Sequence, residues 1–312
     1  MKFSRYPQNT PLKKASVITI GNFDGVHVGH QALIKQVTEY ALTHKLQSVV
    51  VTMNPLAAQY FAGRENVALL TPFKCKYKLL EKLAIDVLCM LNFNHKLAEY
   101  TPEDFIQKIL IDGLQARHII IGDDFRFGKN RAGDIKTLKS YCENFGITIS
   151  HIDSVICYNE RVASSKIRKH IINSDFKTVT ANLGRHYSIA GKISKGQQLG
   201  RELGYPTINI KLKNRKVSVN GIYCVKVLFE NKKTHIGAAS IGSRPTVNGV
   251  EKLLEVHLLD FNKQVYGQNV EVLFYHKIRN EVKFENLTEL KQYIKDDVIK
   301  TRQFFKETNS EH

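Results

Sequence analysis

The stretch Gly21-Asn22-Phe23-Asp24-Gly25-Val26-His27-Val28-Gly29-His30 constrains the fold more than any other part of the chain. It follows the apolar run Val17-Ile18-Thr19-Ile20, which reads as a buried parallel strand. It precedes Leu33, Val37, Tyr40 and Ala41 at helical spacing. A glycine-rich turn and two histidines therefore sit where a strand hands over to a helix N-terminus. Backbone N–H groups are unpaired there, and the helix dipole favours an anion. Glycines at 21, 25 and 29 let backbone approach a ligand closely. His27 and His30, three apart, can point the same way. Two imidazoles beside free N–H groups suit a triphosphate whose α-phosphorus is under attack. The plainer alternatives are an ordinary strand–turn–helix with exposed histidines, or a metal-binding histidine pair.

Strand and helix patterns alternate through the first half. Strands are expected at Ser48–Met53, Asp86–Leu91, Ile119–Ile121 and Ile147–Ser150. Thr71-Pro72 and Thr101-Pro102 read as caps opening helices, and a further helix is expected from about Asp134 to Phe145. This alternation predicts an α/β doubly wound parallel sheet, whose ligands bind beyond the carboxyl ends of strands. Near residues 174–186 the pattern breaks. Short strand-like runs follow at 187–190, 207–211, 222–229, 235–241, 253–259 and 270–275, with no convincing helix between them. They predict a small all-β barrel. Asn286 through Glu289 has N-cap spacing, and Leu287, Leu290, Ile294 and Val298 form one stripe, so a terminal helix should pack on the barrel. Two domains are expected, 1–182 and 183–312, within what 312 residues allow.

Lys+Arg 46 against Asp+Glu 29 gives +17, a field that attracts nucleotides, nucleic acid or acidic membrane surfaces. No run of five or six basic residues with interleaved aromatics occurs, so a solvated basic surface also accounts for the charge. The cysteines at 75, 89, 142, 157 and 224 are odd in number and lack C-x-x-C spacing, which predicts reduced thiols. The first fifteen residues carry no apolar core of a signal peptide, and no apolar run approaches the ~18 residues of a membrane span. A soluble, cytoplasmic protein is expected, with no membrane or nucleic-acid partner.

Two more segments follow strand ends in the first half. Gly122-Asp123-Asp124-Phe125-Arg126-Phe127-Gly128 offers carboxylates, an arginine and two aromatics, suited to an aromatic phosphorylated ligand. A tight loop with a local Asp–Arg pair explains it equally well. Arg161-Val162-Ala163-Ser164-Ser165-Lys166-Ile167-Arg168 offers two hydroxyls and three cations, a plausible phosphate clamp. A serine that caps the next helix is compatible with that reading.

Gly21–His30, Gly122–Gly128 and Arg161–Arg168, in this order and at these separations, resemble the adenylyltransferase half of the bacterial bifunctional riboflavin kinase/FAD synthetase family. The resemblance implies that His27 and His30 stabilise ATP phosphates while Asn22, Phe23, Asp24 and Gly25, with Gly21, line the nucleotide site. It puts Asp124 on the flavin or adenosine side. It gives Arg161, Ser164, Ser165 and Arg168 to the departing pyrophosphate. The reaction implied is in-line attack of the FMN phosphate on the α-phosphorus, which needs no protein nucleophile. Two segments depart from the family pattern. Its S-S-T clamp is Ala163-Ser164-Ser165 here, and its F-E-P-x-P segment is Met53-Asn54-Pro55-Leu56-Ala57.

In the second half a glycine-punctuated loop, Gly196–Pro206, runs into Thr207-Ile208-Asn209. Thr207 and Asn209 share a strand face and offer hard oxygens suited to Mg²⁺; ordinary polar contacts are the plainer reading. Glu255 and His257 also share a face, where a carboxylate can take a proton from an alcohol or simply be solvated. The segments Leu199–Asn209, Gly242–Thr246, Leu254–Asp260 and Lys277–Glu281 resemble the riboflavin kinase half of the same family. The resemblance implies a six-stranded antiparallel barrel, with Thr207 and Asn209 on Mg-ATP and Glu255 as base for the ribityl 5′-hydroxyl. The loop carrying Gly204, Tyr205 and Pro206 would cover the phosphates, and Arg279 would close over the flavin. ATP, riboflavin, FMN and FAD are then substrates and products. The alternatives are a basic RNA-binding protein with a decayed nucleotide site, and a tRNA synthetase-like enzyme suggested by Lys192-Ile193-Ser194-Lys195-Gly196.

Overall fold

The computed structural model describes residues 1–6, 11–63, 66–196, 199–212, 216–246 and 249–310. The chain divides into two compact units, Met1–Ser164 and Ser165–His312.

In the first unit, six strands form one parallel sheet: β1 (Lys2–Tyr6), β2 (Ser16–Ile20), β3 (Gln47–Met53), β4 (Val87–Leu91), β5 (Ala116–Gly122) and β6 (Thr148–Ile152). Their order is β1-β4-β3-β2-β5-β6. Apolar runs make such strands because both faces are covered. Val17, Val50, Leu88 and Ile120 pack on one side with Leu33, Ile34 and Val37 of α1 (Val28–His44). Their neighbours Ile18, Val49, Val51, Cys89 and Ile119 pack on the other side with Ile106, Ile109 and Leu138. After α2 (Ala57–Ala62), α3 (Phe73–Glu81) and α4 (His95–Ala98), α5 (Pro102–Phe105) opens as expected, with Thr101 Oγ1 accepting from Asp104 N at 3.1 Å. It widens into a π-helical stretch, Ile106–Gly113, and α6 (Ile135–Glu143) follows. A hairpin, β7 (Ile156–Cys157) and β8 (Glu160–Arg161), closes the unit.

Three local readings change. Strand β1 is not visible in the sequence pattern; Lys2–Tyr6 mixes charged and apolar residues because it is an edge paired only with β4. The Thr71-Pro72 cap is also different. The helix starts at Phe73 with Pro72 at the cap, because tertiary contacts to residues 24 and 25 occupy Thr71. The expected break at 174–186 holds a helix, described next.

In the second unit, α7 (Ser164–Ile172) and α8 (Phe176–Leu183) precede a closed antiparallel barrel. Its strands are β9 (Ser188–Ser194), β10 (Thr207–Lys211), β11 (Gly221–Phe229), β12 (Thr234–Thr246), β13 (Gly249–Leu258) and β14 (Asn269–Arg279), in the order β10-β13-β12-β11-β14-β9. A short α9 (Leu199–Glu202) interrupts the glycine loop, and α10 (Leu287–Ser310) ends the chain. Asn286 Oδ1 caps α10 by accepting from Glu289 N at 2.9 Å. The buried face of α10 differs from the expected stripe. Leu287 is 57% exposed, whereas Asp297, Thr301 and Phe305, spaced four apart, are buried. Hydropathy hides this face because its two polar members have partners: Asp297 pairs with Arg279, and Thr301 Oγ1 donates to the Asp297 carbonyl at 2.7 Å. Among the described residues no helix is long and apolar enough to cross a membrane.

Helix α8 is anchored by Phe176, whose ring meets Tyr223 edge-on at 5.7 Å and Phe274 at 6.1 Å inside the second unit. Phe176→Ala removes that packing and costs about 3–5 kcal/mol, read as an earlier urea transition of the second unit.

Candidate functional site

The strand order reverses at β2, which is flanked by β3 on one side and β5 on the other. A crevice forms outside the carboxyl ends of β2 and β5 in such a sheet. A cavity of about 320 Å³ lies there, bordered by the turns after β2, β5 and β6 and by the segment through Ser164. Gly21, Asn22, Phe23, His27 and His30 line it.

The turn after β2 is strained: Phe23 and Val26 have φ of 47° and 41°, in the left-handed region that non-glycine residues avoid. Gly25 follows suit at 88°. Buried Asp24 does not line the cavity. It holds the turn from behind by accepting from Leu70 N and Thr71 N, both at 3.1 Å. Gly25 N donates to Thr71 Oγ1 at 2.9 Å, and Ser164 Oγ donates to the Asp24 carbonyl at 2.8 Å.

His27 caps α1, its Nδ1 accepting from His30 N at 3.3 Å. A neutral His27 therefore carries its proton on Nε2. The two imidazoles stack with centroids 3.5 Å apart and planes 16° apart. A Cβ at Gly29 would lie 3.3 Å from the His27 ring, so only glycine leaves that ring its place. His30 Nδ1 is shut off from solvent without a hydrogen-bond partner. Burial, then His27 and Lys76, holds the His30 pKa well below the usual histidine value.

Asp123 and Asp124 reach across to Arg161, each with one oxygen 2.9 Å from Nη2. Arg126 pairs instead with Asp134, at 2.9 Å. The local Asp–Arg pair that residues 122–128 suggested is therefore replaced by a link from the β5 turn to β8. Ala163 and Ser164 border the cavity. Ser165 and Arg168 continue along α7 in the second unit.

A second cavity, of about 330 Å³, lies in the barrel unit. Across the β10–β13 ladder, Thr207 pairs with His257 and Asn209 with Glu255, bringing the four side chains to one face. Thr207, Glu255 and His257 line the cavity together with Tyr205, Arg279 and Glu281. Asn209 is 4% exposed and its Oδ1 has no hydrogen-bond partner. A Cβ at Gly196 would lie 2.6 Å from that amide, so the start of the glycine loop passes directly over it. Gly204 turns the loop at φ 88°, and Tyr205 N donates to the Gly200 carbonyl at 2.7 Å. The Pro206 carbonyl accepts from His257 Nδ1 at 2.9 Å, which fixes the tautomer of His257 and ties the loop to β13. Residues 197–198 of this loop, and the side chains of Ser243, Arg244, Pro245 and Thr246, lie outside the described residues.

Arg279 is held by Asp297 of α10, donating from Nε at 2.9 Å and from Nη2 at 2.7 Å, and it lies beside the rings of Tyr293 and Phe284. Burial raises the Asp297 pKa, against the lowering pull of Arg279. Asp297 and the buried Lys76 are contributors that sequence reading missed. Both look like solvent-facing charges on amphipathic helices, and only packing turns them inward.

Residues 9–166 match the FAD synthetase family and residues 183–305 the riboflavin kinase family. The chain is 38% identical over 288 residues to the bifunctional riboflavin kinase/FMN adenylyltransferase of Haemophilus influenzae, covering 92% of this chain and 94% of that one. It is 35% identical over 293 residues to the Escherichia coli K12 protein of the same name, with 94% of each covered. A crystal structure described as a macrolide-efflux protein from Streptococcus pneumoniae superposes with a TM-score of 0.82 at 27% identity, covering 96% of this chain and 98% of that one. With both families matched in this order, the chain belongs to the bifunctional riboflavin kinase/FMN adenylyltransferase family.

Proposed function

We propose that the two cavities carry consecutive steps on one flavin. The barrel moves the γ-phosphoryl group of ATP to the 5′-hydroxyl of riboflavin, giving FMN and ADP. The parallel-sheet unit joins FMN to the adenylyl group of a second ATP, giving FAD and pyrophosphate. The observation that carries this reading is that each cavity stands beside a different set of groups. The first has the stacked His27 and His30 at a helix start; the second has Thr207, Asn209 and Glu255 on one barrel face. The functional halves are taken as 1–182 and 183–312; the stretch 167–182 lies between the two family matches and belongs to the second compact unit.

In the barrel, the Glu255 carboxylate accepts the hydroxyl proton as the ribityl oxygen bonds to the γ-phosphorus and the bond to the bridging oxygen of ADP breaks. The Thr207 hydroxyl and the unpartnered, buried Asn209 Oδ1 form a donor set that fits Mg²⁺. Bound there, Mg²⁺ supplies charge neutralisation to the ATP phosphates. The loop with Gly204, Tyr205 and Pro206 covers those phosphates, and Arg279, fixed by Asp297, borders the flavin.

In the first unit, an FMN phosphate oxygen attacks the α-phosphorus and the bond to pyrophosphate breaks. His27 offers its Nε2–H, and the positive end of the α1 dipole stabilises the same charge. Asn22 and Phe23 face the nucleotide, while Asp24 and Gly25 keep the turn in shape. Asp124 serves the flavin or adenosine side. Arg161 and Ser164 take the pyrophosphate, with Arg161 shared between phosphate and the two aspartates; for Ser165 and Arg168 that role rests on the family resemblance alone. ATP and flavin as substrates make the cytoplasm the proposed location. The RNA-binding alternative keeps only the net charge of +17 in its favour.

Incubation with riboflavin, ATP and Mg²⁺, followed by chromatography, should give FMN first and FAD after it. His30→Ala should cut FAD formation about 10²–10³-fold, the size of one lost stabilising group, and leave FMN formation intact; equal loss of both products sinks the two-site assignment. Glu255→Ala should cut FMN formation about 10²–10⁴-fold and leave FAD formation from supplied FMN intact. His30 should stay neutral between pH 6 and 8 in nitrogen-correlated NMR of its ring. Because its folded pKa is depressed, its contribution to stability is full above about pH 6.5 and is lost as pH falls toward the lower folded value.

A further inference from the structure

Lys74, Lys76 and Lys78 stand on α3, and two of them do what lysines ordinarily do: Lys74 and Lys78 are exposed. Lys76 is 3% exposed and shares the inward face with Leu80. Its ammonium donates to the Asn22 carbonyl at 2.6 Å and to Thr52 Oγ1 at 3.4 Å. Both partners are neutral oxygens. The neighbouring carboxylate that acts on it, Asp24, already accepts a backbone N–H on each oxygen. Burial consequently brings the Lys76 pKa down to about 8. A charge held this way is a liability to the folded protein, since two neutral oxygens and the attraction of Asp24 offset only part of its lost hydration. The same charge lies directly behind the turn whose front lines the first cavity: Asn22, Phe23 and His30 face the cavity, while the carbonyl of Asn22 is gripped from the rear.

We propose that Lys76 is an electrostatic positioning residue for adenylyl transfer, a buried cation only partly balanced by Asp24, whose charge is completed by the polyphosphate of the nucleotide. It acts through the turn without touching the reacting atoms. Its hydrogen bond polarises the Asn22 peptide, and its charge adds to the field of the α1 N-terminus on the same anion. It also disfavours protonation of His30, keeping that ring neutral. The proposal rests on the assignment of FAD synthesis to the first cavity.

The test compares Lys76→Met and Lys76→Gln with the parent chain, at full length, measuring FAD formation from FMN and ATP. FMN formation from riboflavin, which uses the barrel, reports on the integrity of each preparation. Both variants should lose roughly 10- to 100-fold in kcat/KM for ATP in FAD formation, the scale of one interaction with a charged group. Gln keeps a donor but no charge, so it should not rescue. Lys76→Met should melt at the same temperature as the parent or higher, because an under-compensated buried charge is gone and Thr52 Oγ1 still donates to the Asn22 carbonyl. Rescue by Gln, or a melting temperature lowered in step with activity, assigns Lys76 a purely structural role and overturns the proposal. Full-rate FAD formation by Lys76→Met, in a background where His30→Ala abolishes it, overturns the proposal alone. A parent chain that makes FMN and no FAD overturns the reading of the cavity, and the role of Lys76 with it.

Discussion

The carboxylate of Asp24 is the constraint on which the first active site depends. A turn with left-handed Phe23 and Val26 does not hold itself. Asp24 ties it to the N–H groups of Leu70 and Thr71, Thr71 returns a hydroxyl to Gly25 N, and Ser164 closes onto the Asp24 carbonyl. With the turn locked, His27 is placed to cap α1 and to stack on His30. The start of that helix then borders the crevice at the point where the strand order reverses. The strained turn and the helix cap both depend on one buried hydrogen-bonded acid.

The barrel solves a similar positioning problem with a ladder. The pairing of Asn209 with Glu255 and of Thr207 with His257 sets oxygen donors opposite an acid without any loop having to be precise. The glycine loop is fastened at its end by the bond from His257 to the Pro206 carbonyl. On the other flank, Arg279 is aimed by Asp297, a residue of the terminal helix. The last helix is thereby part of the site as well as a cover for the barrel.

Most of the scaffold was legible from the sequence because its signals are local. Continuous apolar runs become strands covered on both faces, and runs at short spacing separated by turn residues become a barrel. The glycines and histidines of Gly21–His30 were legible for the same reason: a strand end, a turn and a helix start are neighbours in the chain. Readings failed where a side chain chose a distant partner over a local one. Thr71 serves the turn at residues 24 and 25 instead of capping α3. The carboxylates of Asp123 and Asp124 pass over Arg126 for Arg161. The buried stripe of α10 runs through Asp297 and Thr301, which hydropathy places in water.

The sequence by itself therefore determined the two-part architecture and the family, since these depend on periodicity and on spacing within short segments. Tertiary structure alone decided which charges are buried and whom they serve. Lys76 and its neighbours Lys74 and Lys78 are the same residue type in one short run, yet only Lys76 lies behind the turn that lines the first cavity. The distinction arises when α3 packs on the sheet and closes off water from one of its faces. The cost of a buried charge, and so its meaning, exists only once that packing has formed.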